Sequence, residues 1–212
     1  MTRIAITQRI MTSPSQYEEG LGIESNWPLF LKNLSDDLLI FQIPNDVGSL
    51  PGWLKVVDPD AVILTGGEDI GKNLDRDALE HSILDLLCGV VPVLGICRGF
   101  QIINLWAGGT QRVDTNETHV AVSHPVNIED VSLREWLGSS ELVVNSYHSN
   151  LVRPHELSDQ MKVVASALDG SVESFRSTDR SVLAFQWHPE RSREHHELMS
   201  SYIYRFIHGR GS

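Results

Sequence analysis

The chain has 212 residues, 41% hydrophobic and 21% charged, a composition that excludes a disordered or membrane-embedded polypeptide and suits one domain with a substantial core. Seventeen Lys and Arg against 28 Asp and Glu give a formal net charge of −11 with no basic run, which argues against nucleic acid or an anionic membrane as partner. A small anionic substrate stays compatible, because one arginine and a few backbone N–H groups hold it locally.

Short β-branched runs alternate with amphipathic segments through the first half, the pattern of βαβ units feeding a parallel sheet. The expected elements are a strand over Arg3–Thr7, a helix over Leu21–Leu34, a strand over Leu38–Ile43, a short helix over Pro51–Val57 and an apolar strand over Ala61–Thr65. Asp75, Asp77 and Glu80 suit the positive end of a helix dipole, so a helix opens at Asp75 and ends near Gly89. Val91–Ile96 reads as a strand buried on both faces and Arg98–Trp106 as helix. Strands then follow over Val120–Ile128, Leu142–Ser146, Met161–Leu168, Ser171–Arg176 and Val182–Gln186, and Arg193–His208 closes the chain as a helix. No repeat or linker divides the sequence, so the expected fold is a single α/β domain, a three-layer sandwich around a mostly parallel central sheet. Trp53, Trp106 and Trp136 are expected mainly in the core.

Val93-Leu94-Gly95-Ile96-Cys97-Arg98-Gly99-Phe100-Gln101 places a thiol between two glycines where a buried strand meets a helix. Such a nucleophile elbow strains its central residue, and neighbours lacking a Cβ let adjacent chain approach. At a helix N-terminus the thiolate of Cys97 is favoured, and the N–H of Arg98 points where an oxyanion would form. The plain alternative is a buried cysteine in a tight turn, so the motif needs partners. A structural disulfide is disfavoured, since only two cysteines are present and the chain lacks the apolar start of a secreted precursor. With no apolar stretch of the ~18 residues a span needs, a cytoplasmic protein is expected.

Phe185-Gln186-Trp187-His188-Pro189-Glu190 supplies those partners: a proline fixes the backbone between imidazole and carboxylate, so Glu190 can fold back on one ring nitrogen of His188 and leave the other for the thiol proton. The order Cys97, His188, Glu190 follows triad logic. Zinc held by His188, Glu190, His195 and His196 is disfavoured, because adjacent His195 and His196 point about 100° apart on a helix. No metal and no cofactor is expected.

Gly95-Ile-Cys97-Arg-Gly99-Phe-Gln101 with Trp187-His188-Pro-Glu190 resembles the class I glutamine amidotransferase domain, whose fold is flavodoxin-like. Leu64-Thr65-Gly66-Gly67-Glu68-Asp69, Arg76-Asp77-Ala-Leu-Glu80, Asn104 with Gly108-Gly109, and Asn145-Ser146-Tyr147-His148 extend the resemblance to the γ-glutamyl hydrolase-like branch. The resemblance implies that Gly66 or Gly67 adds a backbone N–H to an oxyanion hole opposite Arg98. It implies too that Gln101 holds the glutamyl α-substituents and that Tyr147, His148 and Ser149 close around the glutamyl amino and carboxyl groups. Ile70-Gly71-Lys72-Asn73 is shorter than the family's loop, an opening for a bulkier leaving group.

Ile6-Thr7-Gln8-Arg9, Tyr17-Glu18 and Trp27-Pro28-Leu29-Phe30 resemble a narrower group, hydrolases of γ-glutamyl-CDP-amidate linked to phosphoramidate formation in surface polysaccharides. That likeness makes Arg9 a candidate phosphate contact, against the plain reading of an exposed loop arginine. The expected activity is cysteine-dependent hydrolysis of a small γ-glutamyl amide that releases glutamate. Two other enzymes remain open, the glutaminase subunit of a two-component amidotransferase and a γ-glutamyl-amine hydrolase such as one acting on γ-glutamyl-γ-aminobutyrate. So does an inactive regulatory homologue. A homodimer or a transient synthase partner is compatible with all of them.

Overall fold

The computed structural model describes residues 1–12, 19–192 and 194–209. Strand β1 (Thr2–Thr7) alternates its side chains in the way that builds three layers: Ile4 and Ile6 face one core and Ala5 the other. A hairpin of β2 (Arg9–Thr12) and β3 (Glu19–Gly22) follows, then α1 (Asn26–Leu34), β4 (Leu38–Ile43), α2 (Leu50–Val57) and β5 (Ala61–Leu64). The helix expected from Leu21 therefore starts five residues later, because Leu21 pairs with Ile10 across the hairpin. Glycines at 20 and 22 explain the difference, since they lower helix propensity and leave an extended segment to the strand ladder. Tyr17 and Glu18 of the narrower motif lie outside the described residues, as does Arg193, the expected start of the last helix.

Helix α3 (Leu74–Leu87) is capped by Asn73, whose Oδ1 accepts from the Arg76 N–H at 3.1 Å. The chain then forms β6 (Val93–Ile96), α4 (Arg98–Trp106), β7 (Arg112–Val113), β8 (Val122–Ile128), α5 (Val131–Leu137), β9 (Glu141–Ser146) and β10 (Asn150–Leu151). It ends with β11 (Met161–Ala167), β12 (Val172–Ser177), β13 (Val182–Phe185), a 3₁₀ turn at Pro189–Arg191 and α6 (His196–His208).

Nine of these strands form one sheet in the order β4-β1-β5-β6-β13-β12-β11-β8-β9. From β4 to β13 neighbours run parallel, and from β13 to β9 they run antiparallel. Helices α2, α3 and α4 cover one face through Leu50, Leu79, Ile83, Phe100 and Ile103, while α1 and α6 cover the other through Phe30, Leu31, Met199 and Ile203. This is the α/β sandwich the sequence pattern implies. Trp53, Trp106 and Trp136 sit half-buried at the margins of these cores, and the fully buried indoles are Trp27 and Trp187. Polar ends account for the margin positions: Trp106 Nε1 donates to Asp85 at 2.8 Å and Trp136 Nε1 to the Leu198 carbonyl at 3.2 Å. No helix among the described residues is long and apolar enough to cross a membrane.

Candidate active site

Three adjacent parallel strands, β5, β6 and β13, end at one edge of the sheet, and each delivers a part of the site beyond its last residue. Beyond β6, Cys97 turns the chain into α4 with φ 52° and ψ −97°, a conformation a residue with a Cβ adopts only under constraint. Packing supplies the constraint. A Cβ on Gly95 would lie 2.5 Å from Ile103 and 2.8 Å from the Gly99 backbone, and one on Gly99 would run into the Leu64 carbonyl, so both flanking positions must be glycine for the elbow to close.

Beyond β13, whose Phe185 carbonyl accepts the Cys97 N–H at 2.8 Å, the chain reaches His188 and the 3₁₀ turn that folds Glu190 back. His188 Nδ1 and Glu190 Oε1 are 2.6 Å apart, and both residues are buried. The Cys97 thiol lies beside the ring, close enough for each group to shift the other's charge. Asn145 of β9 clamps the His188 backbone, accepting its N–H at 2.9 Å and donating to its carbonyl at 2.8 Å. Gln186 Nε2 lies 3.9 Å from Cys97 Sγ.

Charge in this pair is shifted toward thiolate and imidazolium. Burial pushes the Cys97 thiol up, but the His188 imidazolium beside it, helped by His148, outweighs burial and holds the thiol below its ordinary range. Burial pulls His188 down, yet Cys97 and Glu190 together raise it to about 10.

Beyond β5, Gly66 passes against the His188 ring and Cys97, and Gly67 packs against Arg76 and Arg9. Arg76, fully buried, pins that loop by donating to the Thr65 carbonyl at 2.8 Å and the Gly66 carbonyl at 3.2 Å. It is anchored by Glu80 at 3.0 Å and Glu68 at 3.2 Å, while Arg98, also buried, binds Glu80 and Asp77. One carboxylate, Glu80, thus ties the loop over the site to the residue after Cys97. Sequence reasoning places Glu80 and Asp77 on a helix end and gives Arg76 no role. The i, i+4 spacing of Arg76 and Glu80 is the available signal, which reads by default as a solvated pair.

Gly67, Arg98, Gln101, Tyr147, His148 and Ser149 line one small cavity with Cys97, together with Glu68 and Asp69. Within it Gln101 Oε1 lies 3.4 Å from Asn150 Nδ2, and Tyr147, 50% exposed, stands edge-on to His188 at 5.9 Å. His148 is buried: burial lowers its pKa, but the Glu173 carboxylate outweighs this and the net shift is upward. The loop after Asp69 folds onto α3 through Gly71 N–H to Asp77 at 2.8 Å. Arg9 stands outside the cavity. Its guanidinium binds Glu24, which also takes Arg191 at 2.6 Å, and Arg191 lies 5.2 Å over the Tyr147 ring. His188, Glu190, His195 and His196 do not gather around a common point, since His196 Nδ1 contacts Asn33 at 3.0 Å.

A sequence profile described as Peptidase C26 matches residues 39–190. The glutamine amidotransferase-like protein YvdE of Lactococcus lactis is 28% identical over 169 residues, 67% of this chain and 70% of that protein. A glutamine-hydrolyzing GMP synthase subunit of Natronomonas pharaonis is 33% identical over 134 residues, 63% of this chain and 67% of that one. The chain spans 62% to 70% of the length of the first three curated relatives it matches. Among solved structures, one described as a GMP synthase subunit from Thermoplasma acidophilum superposes with a TM-score of 0.75 at 21% identity, covering 99% of this chain and 95% of its own, a likeness of fold. With elbow, imidazole and carboxylate all falling inside the matched span, the chain belongs to the Peptidase C26 family.

Proposed function

We propose that this chain, acting as one domain, hydrolyses a γ-glutamyl amide with Cys97 as nucleophile, His188 as proton carrier and Glu190 as the group orienting the ring. The observation that carries this reading is the contact between a strained elbow thiol and a buried imidazole fixed by a 2.6 Å bond to a carboxylate. With the proton already on His188, the thiolate attacks the γ-carbonyl, and the N–H groups of Arg98 and of Gly66 or Gly67 receive the oxyanion. His188 then passes its proton to the departing nitrogen. Water, deprotonated by the ring, hydrolyses the thioester and frees glutamate. Gln101 and the Tyr147–His148–Ser149 loop hold the glutamyl end.

For the leaving group the reading is an anionic one, with a γ-glutamyl-CDP-amidate as the leading case. Arg9 and Arg191 meet at the carboxylate of Glu24, with Arg191 also 3.7 Å from Glu190, so two guanidinium groups stand at the rim beside the exposed Tyr147 ring. A second reading, the glutaminase subunit of a two-component amidotransferase, draws on the relative named as part of GMP synthase.

A panel of plain glutamine, γ-glutamyl amines and a γ-glutamyl nucleotide amidate, compared by kcat/KM, separates these. Preference for the nucleotide amidate supports the first. Good turnover of glutamine raised further by a synthase supports the second, and no hydrolysis of any member overturns the proposal.

A further inference from the structure

Behind the loop that carries Tyr147 and Ser149 lies a cluster of which the site at Cys97 uses only His148. His119, His148 and Glu173 are all buried, and one ligating atom from each lies within 4.8 Å of the others. His119 Nδ1 is 3.4 Å and His148 Nε2 is 3.6 Å from the same Glu173 oxygen, and His124 Nε2 lies 3.1 Å from His119 Nδ1. Among the described residues neither oxygen of Glu173, nor His148 Nε2, has a hydrogen-bond partner.

The outward nitrogens decide what the inward ones can be. His148 Nδ1 lies 3.0 Å from the Asn150 carbonyl and His124 Nδ1 lies 3.2 Å from the Pro125 carbonyl. A carbonyl only accepts, so both of those nitrogens carry the proton. His119 Nε2 faces the Asp169 carboxylate and the Ser171 hydroxyl, both at 3.5 Å, and its Nδ1 faces Glu173 and His124. In a neutral His148 ring the inward Nε2 is then a bare lone pair, 3.6 Å from an oxygen of the buried Glu173 carboxylate. Such an arrangement repels itself unless a cation sits in it.

We propose that His119, His148 and Glu173 bind one divalent transition-metal ion of the zinc type. Bonds of ~2.0–2.1 Å to nitrogen and oxygen at tetrahedral angles place ligand atoms about 3.3–3.4 Å apart, close to the 3.4 Å and 3.6 Å that separate His119 Nδ1 and His148 Nε2 from Glu173 Oε1. The set of imidazoles and one carboxylate suits zinc. The His148 Nδ1–H already holds a carbonyl acceptor of the kind that metal-bound histidines use to fix ring orientation. Three protein ligands leave the fourth position to water, and the ion clasps the segment around His119, the Tyr147–Ser149 loop and β12 into one unit behind the cavity. A single proton on His148 is the rival cation, and it reaches only one of the two partnerless Glu173 oxygens.

The test is binding of Zn²⁺ and Co²⁺ to untagged, chelator-stripped chain, run in the Cys97→Ala variant so that the active-site thiol cannot compete. One ion per chain, visible absorption of four-coordinate Co²⁺, and affinity falling at least ~10-fold in Glu173→Gln are expected. No retained ion, or retention that Glu173→Gln leaves unchanged, overturns the site. Should Glu173→Gln fail to fold, X-ray absorption on the zinc-loaded unmutated chain decides instead. Imidazole scattering without sulfur supports the proposal, and sulfur in the shell, which would locate the ion at Cys97, refutes it.

Discussion

Replacing Gly66 by alanine tests how closely the site is built. The added Cβ would lie 2.7 Å from His188 Cε1 and 3.6 Å from Cys97 Cβ. Carbon atoms rest at about 3.5–4.0 Å, so the second contact is ordinary and the first is short by about 1 Å. The loop cannot give way easily, because Arg76 holds the carbonyls of Thr65 and Gly66 and is itself fastened to Glu80 and Glu68. The imidazole must therefore move by about that distance, away from the thiol. A displacement of ~1 Å at a reacting group costs on the order of 10²-fold, or about 2.7 kcal/mol of transition-state stabilisation. Alanine keeps the N–H at this position, so a proposed oxyanion donor survives and the loss isolates the position of the ring. The assay is kcat and KM on the best substrate of the panel, with circular dichroism as the folding control. A fall of about 10²-fold carried by kcat is expected, and a folded variant with unchanged kcat would refute the reasoning.

Three further perturbations have signs fixed by the same geometry. Because Cys97 is held below the ordinary thiol range, its alkylation by iodoacetamide should stay fast as pH falls below ~8.5 and slow only at lower pH, whereas His188→Asn, which leaves burial less opposed, should raise the midpoint to ~8.5 or above; a midpoint near ~8.5 in the unmutated chain contradicts the ion pair. Glu190→Gln removes a carboxylate that raises His188, so the alkaline limb of kcat should move to lower pH while the rate drops by about 10²–10⁴-fold, and an unmoved limb would detach Glu190 from the ring. Glu80→Gln leaves two buried guanidinium groups short of their counter-charge, which costs about 3–5 kcal/mol. At roughly 2–4 °C per kcal/mol for a chain of this size, Tm should fall by about 6–20 °C, and a shift of a degree or two would show that the network does not hold the site together.

The parts of this structure that were legible in the sequence are those where a local pattern and the tertiary outcome agree. Val93–Ile96 is buried on both faces and could only be a central strand, and the glycines at 95 and 99 announce a close approach that the Leu64 carbonyl and Ile103 provide. His188 and Glu190 were readable as a pair because Pro189 bends the chain between them. What stayed hidden depends on contacts distant in sequence. The hairpin β2–β3 is four residues a side, too short for its alternation to outweigh the helical character of the segment after it. Helix α5 has a proper cap in Asp130 and a left-handed stop at Gly138, but seven residues are too few to show a period. Arg76, Arg98 and Glu80 look like surface charges because such residues are seldom buried, and only the fold reveals that both guanidinium groups meet Glu80 beneath the site. Histidines 119 and 148 and Glu173 have no ligand-type spacing at all, and a sheet that brings the ends of β8 and β9 near β12 is what assembles them.

The central claim is that the elbow thiol becomes covalently acylated by the γ-carbonyl of a glutamyl amide, and the most direct measurement is peptide mapping after exposure to an electrophilic glutamine analogue. The account predicts one adduct per chain, on Cys97, protected by substrate and lost in His188→Asn. An adduct confined to Cys88, or turnover that continues in Cys97→Ala, would contradict it.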